Sequence, residues 1–422
     1  MPEFQIPLGL FSKSYHHLTQ EEKDFLDYFT MIGSWCIEPV ISTHYSLGPK
    51  GYGSSLILSR ILKVKERISS DRELASKLRK NEIYRVVCQL RDGNTVPSHN
   101  TYTTLRSKLG IQGYTELHTN FVKEADKFGL LTPPLHGCPK TMRKGIILVA
   151  DSTFILTASS TQGVEAKDGT WLFTDRDVAF GRGHHKHKYP VGYKAHSLIS
   201  INGIPLVSIV ASANEHDIDY IIPLLERLCE RYPSFTFAYL ILDKGYDSED
   251  IHCAIYEDFG IIPVIIRKKM AYPRGFTKDG FPLCPLGVPM RRKGIEYTHK
   301  RTKYACYKRC LRDNQRALFS CEYLKSESPF GYTTYTYFDE GYRKFGPALP
   351  TSNIYKFLKP YRTGIERNYA IVKENRYRLE THNTYTGMDN VQTHVIEHDI
   401  VLTQDIIYDF LTNGKLSSII KT

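Results

Sequence analysis

The stretch Ile146-Ile-Leu-Val-Ala-Asp151-Ser152-Thr153 decides the fold class of this chain. Its first five residues form an unbroken apolar run, which predicts a buried central strand. The run ends at Asp151, so we expect this carboxylate to stand where the strand meets a loop. Because ligands gather at the carboxyl ends of strands in open α/β sheets, the sequence predicts a functional acid at this point.

Two other acidic residues have settings that fit the same site. Asp243 follows a second apolar run, and Gly245 permits a tight turn into the next helix. Glu366 lies in a stretch with helical spacing, where Arg362 and Lys373 fall on the same face as the acid. An acid between two cations fits a site that holds a metal ion and a phosphate.

Three carboxylates at one point repel each other unless cations bind between them. Hard divalent ions with oxygen ligands meet this need, and a pair of them clamps the attacking and leaving oxygens of a phosphodiester. Each acid also has a structural interpretation, because a strand-end Asp caps a turn and a Glu on a solvated helix forms ordinary ion pairs. Asp247 is interpreted in this way, as the N-cap of the following helix. The combination of three acids favours a metal-dependent enzyme that acts on DNA.

The composition is typical of a soluble protein in a reducing compartment. The chain has 422 residues, enough for two or three modules, with 41% hydrophobic and 24% charged residues. No apolar run approaches a membrane span, and the first residues lack the pattern of a signal peptide. Nine scattered cysteines argue against a disulfide framework. We therefore expect a cytoplasmic protein.

The positive charge of the chain is concentrated in one segment. The net charge is +11, and residues 267–325 hold 16 Lys or Arg against 4 Asp or Glu. The rest of the chain holds 40 basic against 41 acidic residues, so the excess lies almost wholly in this segment. Such a block suits a polyanion, whereas the alternative is a solvated loop that keeps the protein soluble.

Changes of pattern divide the chain into four parts. Helical spacing dominates up to about Leu131, and strands and helices then alternate, with a hairpin signal at Asn202-Gly203. The predicted parts are a helical N-terminal DNA-binding region (1–132), the first part of a catalytic core (141–266), a basic cysteine-containing insertion (267–345) and the C-terminal part of the core with Glu366 (346–422).

Two predictions concern the extent of single helices. A helix that follows Pro97-Ser98 is predicted to be broken by Gly110 and Gly113. The last predicted helix begins near Tyr361 and continues through Tyr377. This last helix would carry the third acid.

Six blocks of the sequence share the order and spacing of one enzyme family. They are Asp151-Ser-Thr153, Gly192-Tyr-Lys194-Ala-His196, Gly203-Ile-Pro-Leu206, Ala213-Asn-Glu-His-Asp217, Asp243-Lys-Gly-Tyr-Asp247 and Arg362-x3-Glu366-x6-Lys373. The ordered set resembles bacterial insertion-sequence transposases of the DDE class, whose catalytic domain has a ribonuclease-H-like fold. One subgroup of these enzymes has a Tyr three residues before the Arg, where this sequence has Lys359.

The resemblance implies an α/β fold: a ribonuclease-H-like mixed sheet with flanking helices, preceded by an all-α region and interrupted by the basic insertion. It implies that Asp151, Asp243 and Glu366 are catalytic and hold two Mg²⁺ ions, with Mn²⁺ as a substitute. DNA contacts are predicted for four basic residues: Arg362, Lys373, Lys359 and Lys194. The implied partner is DNA, bound by a homodimer in the bacterial cytoplasm and on the nucleoid.

Four cysteines of the basic insertion have two interpretations. They are Cys284, Cys306, Cys310 and Cys321. Four thiolates around a structural Zn²⁺ would stabilise a segment that has few apolar residues. The spacing lacks a paired C-x2-C, which favours free thiols.

The sequence therefore predicts a DNA transposase that cleaves transposon ends by two-metal-ion chemistry and transfers the strands to target DNA. One alternative is a nuclease of the same fold that cuts DNA without joining it. Another is a catalytically silent DNA-binding regulator derived from a transposase, against which the three intact acids argue.

Overall fold

The computed structural model describes residues 17–44, 52–90, 96–181, 189–306, 330–363, 378–380 and 383–414. The chain forms two compact units. The first comprises the described parts of Met1–Pro134, Val149–Ser234 and Thr363–Thr422, and the second those of Leu135–Leu148 and Phe235–Arg362. Among the residues described, no helix combines the length and apolar character needed to cross a membrane.

The N-terminal part of the first unit is helical, as the sequence predicts. Its helices are α1 (Gln20–Thr30), α2 (Ser34–His44), α3 (Ser54–Lys65), α4 (Asp71–Lys80), α5 (Glu82–Val87) and α6 (His99–Lys127). The predicted break in α6 is right for Gly110, whose φ of 55° kinks the helix, but wrong for Gly113. Beyond the kink, the buried side chains of Tyr114, Leu117 and Phe121 return at helical spacing. Their burial outweighs the cost of about 1 kcal/mol for one helical glycine.

The first unit continues with strands and one helix. These elements are β1 (Ile146–Leu156), β2 (Val164–Glu165), β3 (Trp171–Leu172), β4 (Ala179–Phe180), β5 (Val191–Ser200), β6 (Pro205–Ser212) and α7 (Ile221–Arg231). Strand β5 pairs with β1, with β6 and with the short β4. The pairing of β5 with β6 is antiparallel, and Gly203 in the turn between them has a φ of 85°. The predicted hairpin at Asn202-Gly203 is therefore confirmed.

Strand β1 runs past Asp151, so the predicted strand end at this residue is wrong. Asp151 is the sixth of eleven residues in the strand. After it, Thr153 and Ile155 are buried, 2% and 0% exposed, while Ser152 and Phe154 are only partly buried. The alternation of buried and less buried side chains continues the strand for five more residues.

The second unit includes the first three residues of β1, Ile146 to Leu148. The Ile146 amide donates a hydrogen bond to the Thr236 carbonyl, 2.8 Å away, just before β7. The remaining elements are β7 (Phe237–Leu242), α8 (Glu249–Glu257), β8 (Ile262–Ile265), β9 (Arg291–Glu296), β10 (Arg301–Ala305), β11 (Thr333–Tyr337), α9 (Tyr342–Phe345) and α10 (Asn353–Leu358). Strands β7 and β8 are parallel, whereas β11, β10 and β9 form an antiparallel sheet in that order.

These elements confirm the predicted α/β class, a mixed sheet with flanking helices and a helical N-terminal region. The predicted start of a helix near Tyr361 is confirmed, because residues 361–363 are helical, and its predicted continuation through Tyr377 lies outside the described residues. Helix α10 is a separate element that ends at Leu358, and the Ser352 hydroxyl caps its start by accepting a hydrogen bond from the Tyr355 amide.

Helix α11 (Met388–Asn413) is an element that the sequence analysis did not predict. Its residues Ile396, Ile400 and Val401 belong to the apolar core of the N-terminal helices. Its residues Val391 and Val395 belong to the core beneath β5 and β6. The helix therefore packs against the N-terminal helices with one part of its surface and against the strands of the first unit with another.

A buried ionic network joins α3 to α11. The Arg60 side chain, 2% exposed, donates from Nε and Nη2 to the two Glu397 carboxylate oxygens at 2.7 and 2.6 Å. Arg60 also binds Asp71, and the Tyr385 hydroxyl accepts hydrogen bonds from Arg60 and from Lys63. Burial alone would raise the pKa of Glu397, but Arg60 holds it below its ordinary value.

Glu397→Gln should destabilise the first unit by about 3–5 kcal/mol, because it leaves the buried Arg60 charge without its main partner. The measurement is urea unfolding followed by circular dichroism. Lys77→Gln is the matched control, since Lys77 forms an exposed ion pair with Glu73 and its loss should leave the unfolding midpoint almost unchanged. Equal midpoints for Glu397→Gln and wild type would show that the buried pair does not stabilise the fold.

His118 of α6 makes stability depend on pH. Burial, together with the nearby charge of Arg231, lowers the pKa of this histidine to about 3. Its pKa in the unfolded chain is about 6.5, so the unfolded state gains protons first and stability falls as the pH drops below that value. Between pH 6.5 and 5.5 the loss is about 1 kcal/mol.

The variant His118→Asn should remove that share of the pH dependence, measured as the difference from wild type in unfolding free energy at several pH values. Asp399 acts in the opposite sense, because burial raises its pKa to about 7 and its contribution fades as the pH rises toward 7. Asp399 is present in both proteins, so its contribution cancels when the unfolding free energy of the variant is subtracted from that of wild type. Parallel pH curves for the variant and wild type would contradict this prediction.

Candidate active site

Asp243 stands at the end of β7, where the sequence predicts it. Its side chain is 52% exposed. Oxygen Oδ1 accepts a hydrogen bond from the Gly245 amide at 2.9 Å, which caps a short 3-10 turn over Lys244–Tyr246. The buried strand thus delivers the carboxylate to the sheet edge, and the turn fixes one of its oxygens.

Arg362 lies beside this carboxylate. Its Nη2 is 4.0 Å from Asp243 Oδ2, and its side chain is 7% exposed. The prediction grouped Asp243 and Arg362 in one site although 119 positions separate them, and the second unit brings them together. The pair places a guanidinium next to an exposed acid, an arrangement that suits a bound anion or phosphate.

Asp247 is the centre of a buried network. Its side chain is fully buried, and its oxygens contact His252 at 3.1 Å, Arg267 at 3.3 Å and Arg343 at 2.7 Å. The Lys268 amide donates a further hydrogen bond to Oδ2 at 2.7 Å. One carboxylate therefore connects the turn after β7 to α8, to the segment after β8 and to α9.

The predicted N-cap role of Asp247 is wrong. Ser248 caps α8, since its side chain accepts a hydrogen bond from the Ile251 amide. Burial would raise the pKa of Asp247, but His252, Arg343 and Arg267 hold it well below its ordinary range. The sequence around Asp247 does not indicate that it is the centre of a buried network, because its partner Arg343 is distant along the chain.

The protonation state of His252 follows from the same surroundings. The ring is 1% exposed, and burial lowers its pKa to about 4, although hydrogen bonding to Asp247 acts in the opposite direction. His252 is therefore neutral near pH 7, and the network carries two guanidinium charges around one carboxylate.

Asp151 belongs to the first unit and is only partly buried on β1. Its Oδ1 accepts a hydrogen bond from the Ser152 amide at 2.9 Å. Carboxylate oxygens of this kind are the hard donors that divalent ions of the Mg²⁺ type prefer, so both described acids fit such an ion by their chemistry.

Two of the predicted DNA-binding residues have different surroundings. Lys359 is exposed and follows the last turn of α10. Lys194 on β5 forms an ion pair with Asp217 at 3.1 Å and donates a hydrogen bond to the Glu215 carbonyl at 2.8 Å. Beside this pair, His196 stacks on Tyr220 with ring centres 4.2 Å apart.

Four predicted site residues lie outside the described residues: Glu366, Lys373, Cys310 and Cys321. The other two cysteines, Cys284 and Cys306, belong to one small apolar cluster with Met290 and Tyr304. In the parts of the chain that the structure describes, no three His, Cys, Asp or Glu side chains are grouped as a metal site. The zinc site and the complete acidic trio therefore stay predictions.

Residues 142–400 match the family described as Transposase DDE domain. Over 92 residues the sequence is 32% identical to a putative transposase for insertion sequence element IS402 from Burkholderia cepacia, a stretch that covers 21% of this chain and 43% of that relative. The match thus spans less than half of the relative's length.

A solved structure of the piggyBac transposase in a synaptic complex with hairpin DNA is similar at 9% identity with a TM-score of 0.34. That comparison covers 96% of this chain and 78% of the other.

Asp247→Asn should destabilise the second unit by about 3 kcal/mol, because Arg267 and Arg343 would both lose the carboxylate with which they pair. Thermal unfolding and limited proteolysis measure the effect. Asp250→Asn is the matched control, since Asp250 is exposed in helix α8, which follows directly after the Asp247 turn. Equal losses in both variants would show that the network is not what fixes this turn.

Proposed function

This chain belongs to the Transposase DDE domain family, and from that premise we propose that it is a DNA transposase that cleaves the ends of a mobile element and joins them to target DNA. The observation that supports this most directly is the pairing of the exposed Asp243 carboxylate with Arg362. A divalent ion and a phosphate group both find a partner there.

Family membership implies the use of a divalent metal ion. We propose that Asp151, Asp243 and Glu366 hold two Mg²⁺ ions, which Mn²⁺ can replace. When bound, such ions activate the attacking oxygen and stabilise the leaving oxygen of a phosphodiester. Asp151 and Asp243 fit this role because their carboxylates supply hard oxygen donors and neither side chain is fully buried.

The other residues of the site would act on the DNA through charge and position. Arg362 would neutralise a phosphate held beside Asp243, and Lys359 and Lys373 would extend the positive charge along the same DNA strand. Asp247 would act indirectly, since its network fixes the turn that carries Asp243. Lys194 is the weakest of the proposed DNA contacts, because Asp217 already neutralises it.

The proposed partner is DNA, as transposon end and as target. Joining two ends of one element requires that both be held together, so we propose a homodimer on DNA. Analytical ultracentrifugation with and without a duplex that carries the element end measures this state.

Asp151→Asn, Asp243→Asn and Glu366→Gln should each reduce cleavage of transposon-end DNA by about 10³-fold or more, because each removes a ligand charge from the metal site. DNA binding in EDTA should stay near the wild-type level. The assay uses a labelled end duplex with Mg²⁺ and detects both the nicked product and the joined strand-transfer product. Asp250→Asn is the control and should cleave normally.

Full cleavage by any one of the three variants would remove that residue from the site. If wild type cleaves the DNA but forms no joined product, the protein is a nuclease of the same family and not a transposase. If wild type binds DNA but does not cleave it with either Mg²⁺ or Mn²⁺, the protein is a DNA-binding regulator.

A further inference from the structure

The antiparallel sheet of β9, β10 and β11 has two unlike faces. On one face Thr302, Tyr304 and Thr336 are 0–1% exposed, so this side is packed against the rest of the second unit. The opposite face, which we call the outer face, carries residues that alternate with these along each strand. Strands β9 and β10 of this sheet belong to the basic segment, residues 267–325.

Strand register defines the composition of the outer face. Lys303 lies between Gly294 and Tyr335, and Arg301 lies between Glu296 and Tyr337. At the end of the sheet the same face carries Arg291 and Thr333, and a register shift next to Gly294 adds the exposed Lys293. The face therefore presents four basic residues, two tyrosines and one acid.

Aromatic rings hold these cations in place. The Arg301 guanidinium carbon lies 4.1 Å from the centre of the Tyr335 ring, and Lys303 Nζ lies 5.4 Å from the same centre. Lys293 Nζ lies 3.9 Å from the centre of the Phe330 ring. Cation–π contacts restrict the flexible side chains without neutralising their charge, so less conformational freedom is lost when an anion binds.

The charge of the face is only partly balanced. Glu296 pairs with Arg301 at 2.7 Å. Among the described residues, no carboxylate forms an ion pair with Lys293 or Lys303. Within the described residues, both lysines are therefore available to an external anion.

We propose that the outer face binds the phosphate backbone of duplex DNA, without reading its sequence. Alternate positions on one strand are about 7 Å apart and neighbouring strands about 4.8 Å, so the cations form a spaced array of point charges rather than a single pocket. Such an array fits a polymer with a charge at every nucleotide, and the Tyr335 and Tyr337 hydroxyls add donors for phosphate oxygens. The proposal rests on the proposed function, and it assigns a DNA-binding surface outside the acidic site.

The test is the salt dependence of DNA binding by the full chain. Fluorescence anisotropy in EDTA with a labelled duplex of arbitrary sequence gives the slope of log Kd against log salt concentration. Each phosphate contact contributes about 0.9 to this slope, so the double variant Lys293→Gln/Lys303→Gln should lower it by about 2. The loss should be the same for unrelated duplex sequences.

Lys300→Gln is the matched control. Lys300 is exposed in the turn between β9 and β10, but it pairs with Glu257 and is not on the outer face. Its removal should leave the slope unchanged, and circular dichroism should show that both variants are folded. Tyr335→Leu, which removes the ring beneath the cations, should weaken binding at low salt by several-fold.

An unchanged slope in the folded double variant would overturn the proposal. So would binding of polyglutamate as tight as that of DNA, with an equal loss in the double variant, because the face would then be a site for acidic proteins. Failure of the proposed function looks different, since wild type itself would then fail to cleave end DNA with Mg²⁺. If wild type cleaves end DNA but the double variant has an unchanged slope, only the proposal for the outer face fails and the proposed function stands.

Discussion

The first unit depends on the buried contact between Arg60 of α3 and Glu397 of α11. Ion pairs in an apolar interior contribute little net stability, but they are costly to break and they tolerate only one arrangement. This pair fixes which turn of α11 faces the N-terminal helices. The opposite side of α11 then packs against the core beneath β5 and β6. The strand that carries Asp151 thus belongs to a unit whose helices cannot shift without separating two buried charges.

The second unit is also held together by a buried carboxylate that pairs with guanidinium groups. Asp247 binds two guanidinium groups and a backbone amide that come from distant positions of the chain. Four residues earlier, Asp243 is exposed at the end of β7. The buried acid provides rigidity and the exposed acid provides a ligand, so one short turn holds both an anchor and a functional group. A site of this kind keeps its geometry although one of its acids faces solvent.

Local signals predicted the parts of the fold whose cause is local. The Asn202-Gly203 turn, the helical N-terminal region and the strand end at Asp243 all follow from a few neighbouring residues. The errors at Asp151, Gly113 and Asp247 have one common cause, because distant packing decides each of them. Helix α11 was missed for the same reason, since nearly every side chain from Val391 to Ile407 is buried and no polar face marks it as amphipathic. For the acidic site, sequence similarity grouped Asp243 with Arg362 before the structure placed them 4.0 Å apart.

The position of α11 along the chain has a consequence for biosynthesis. Because the N-terminal helices share their core with a helix that begins only at Met388, Arg60 and its apolar neighbours are synthesised long before their partner. The first unit closes only after α11 has emerged from the exit tunnel. A message that ends early, before codon 388, therefore gives a polypeptide that cannot complete this core and becomes a substrate for chaperones and proteases.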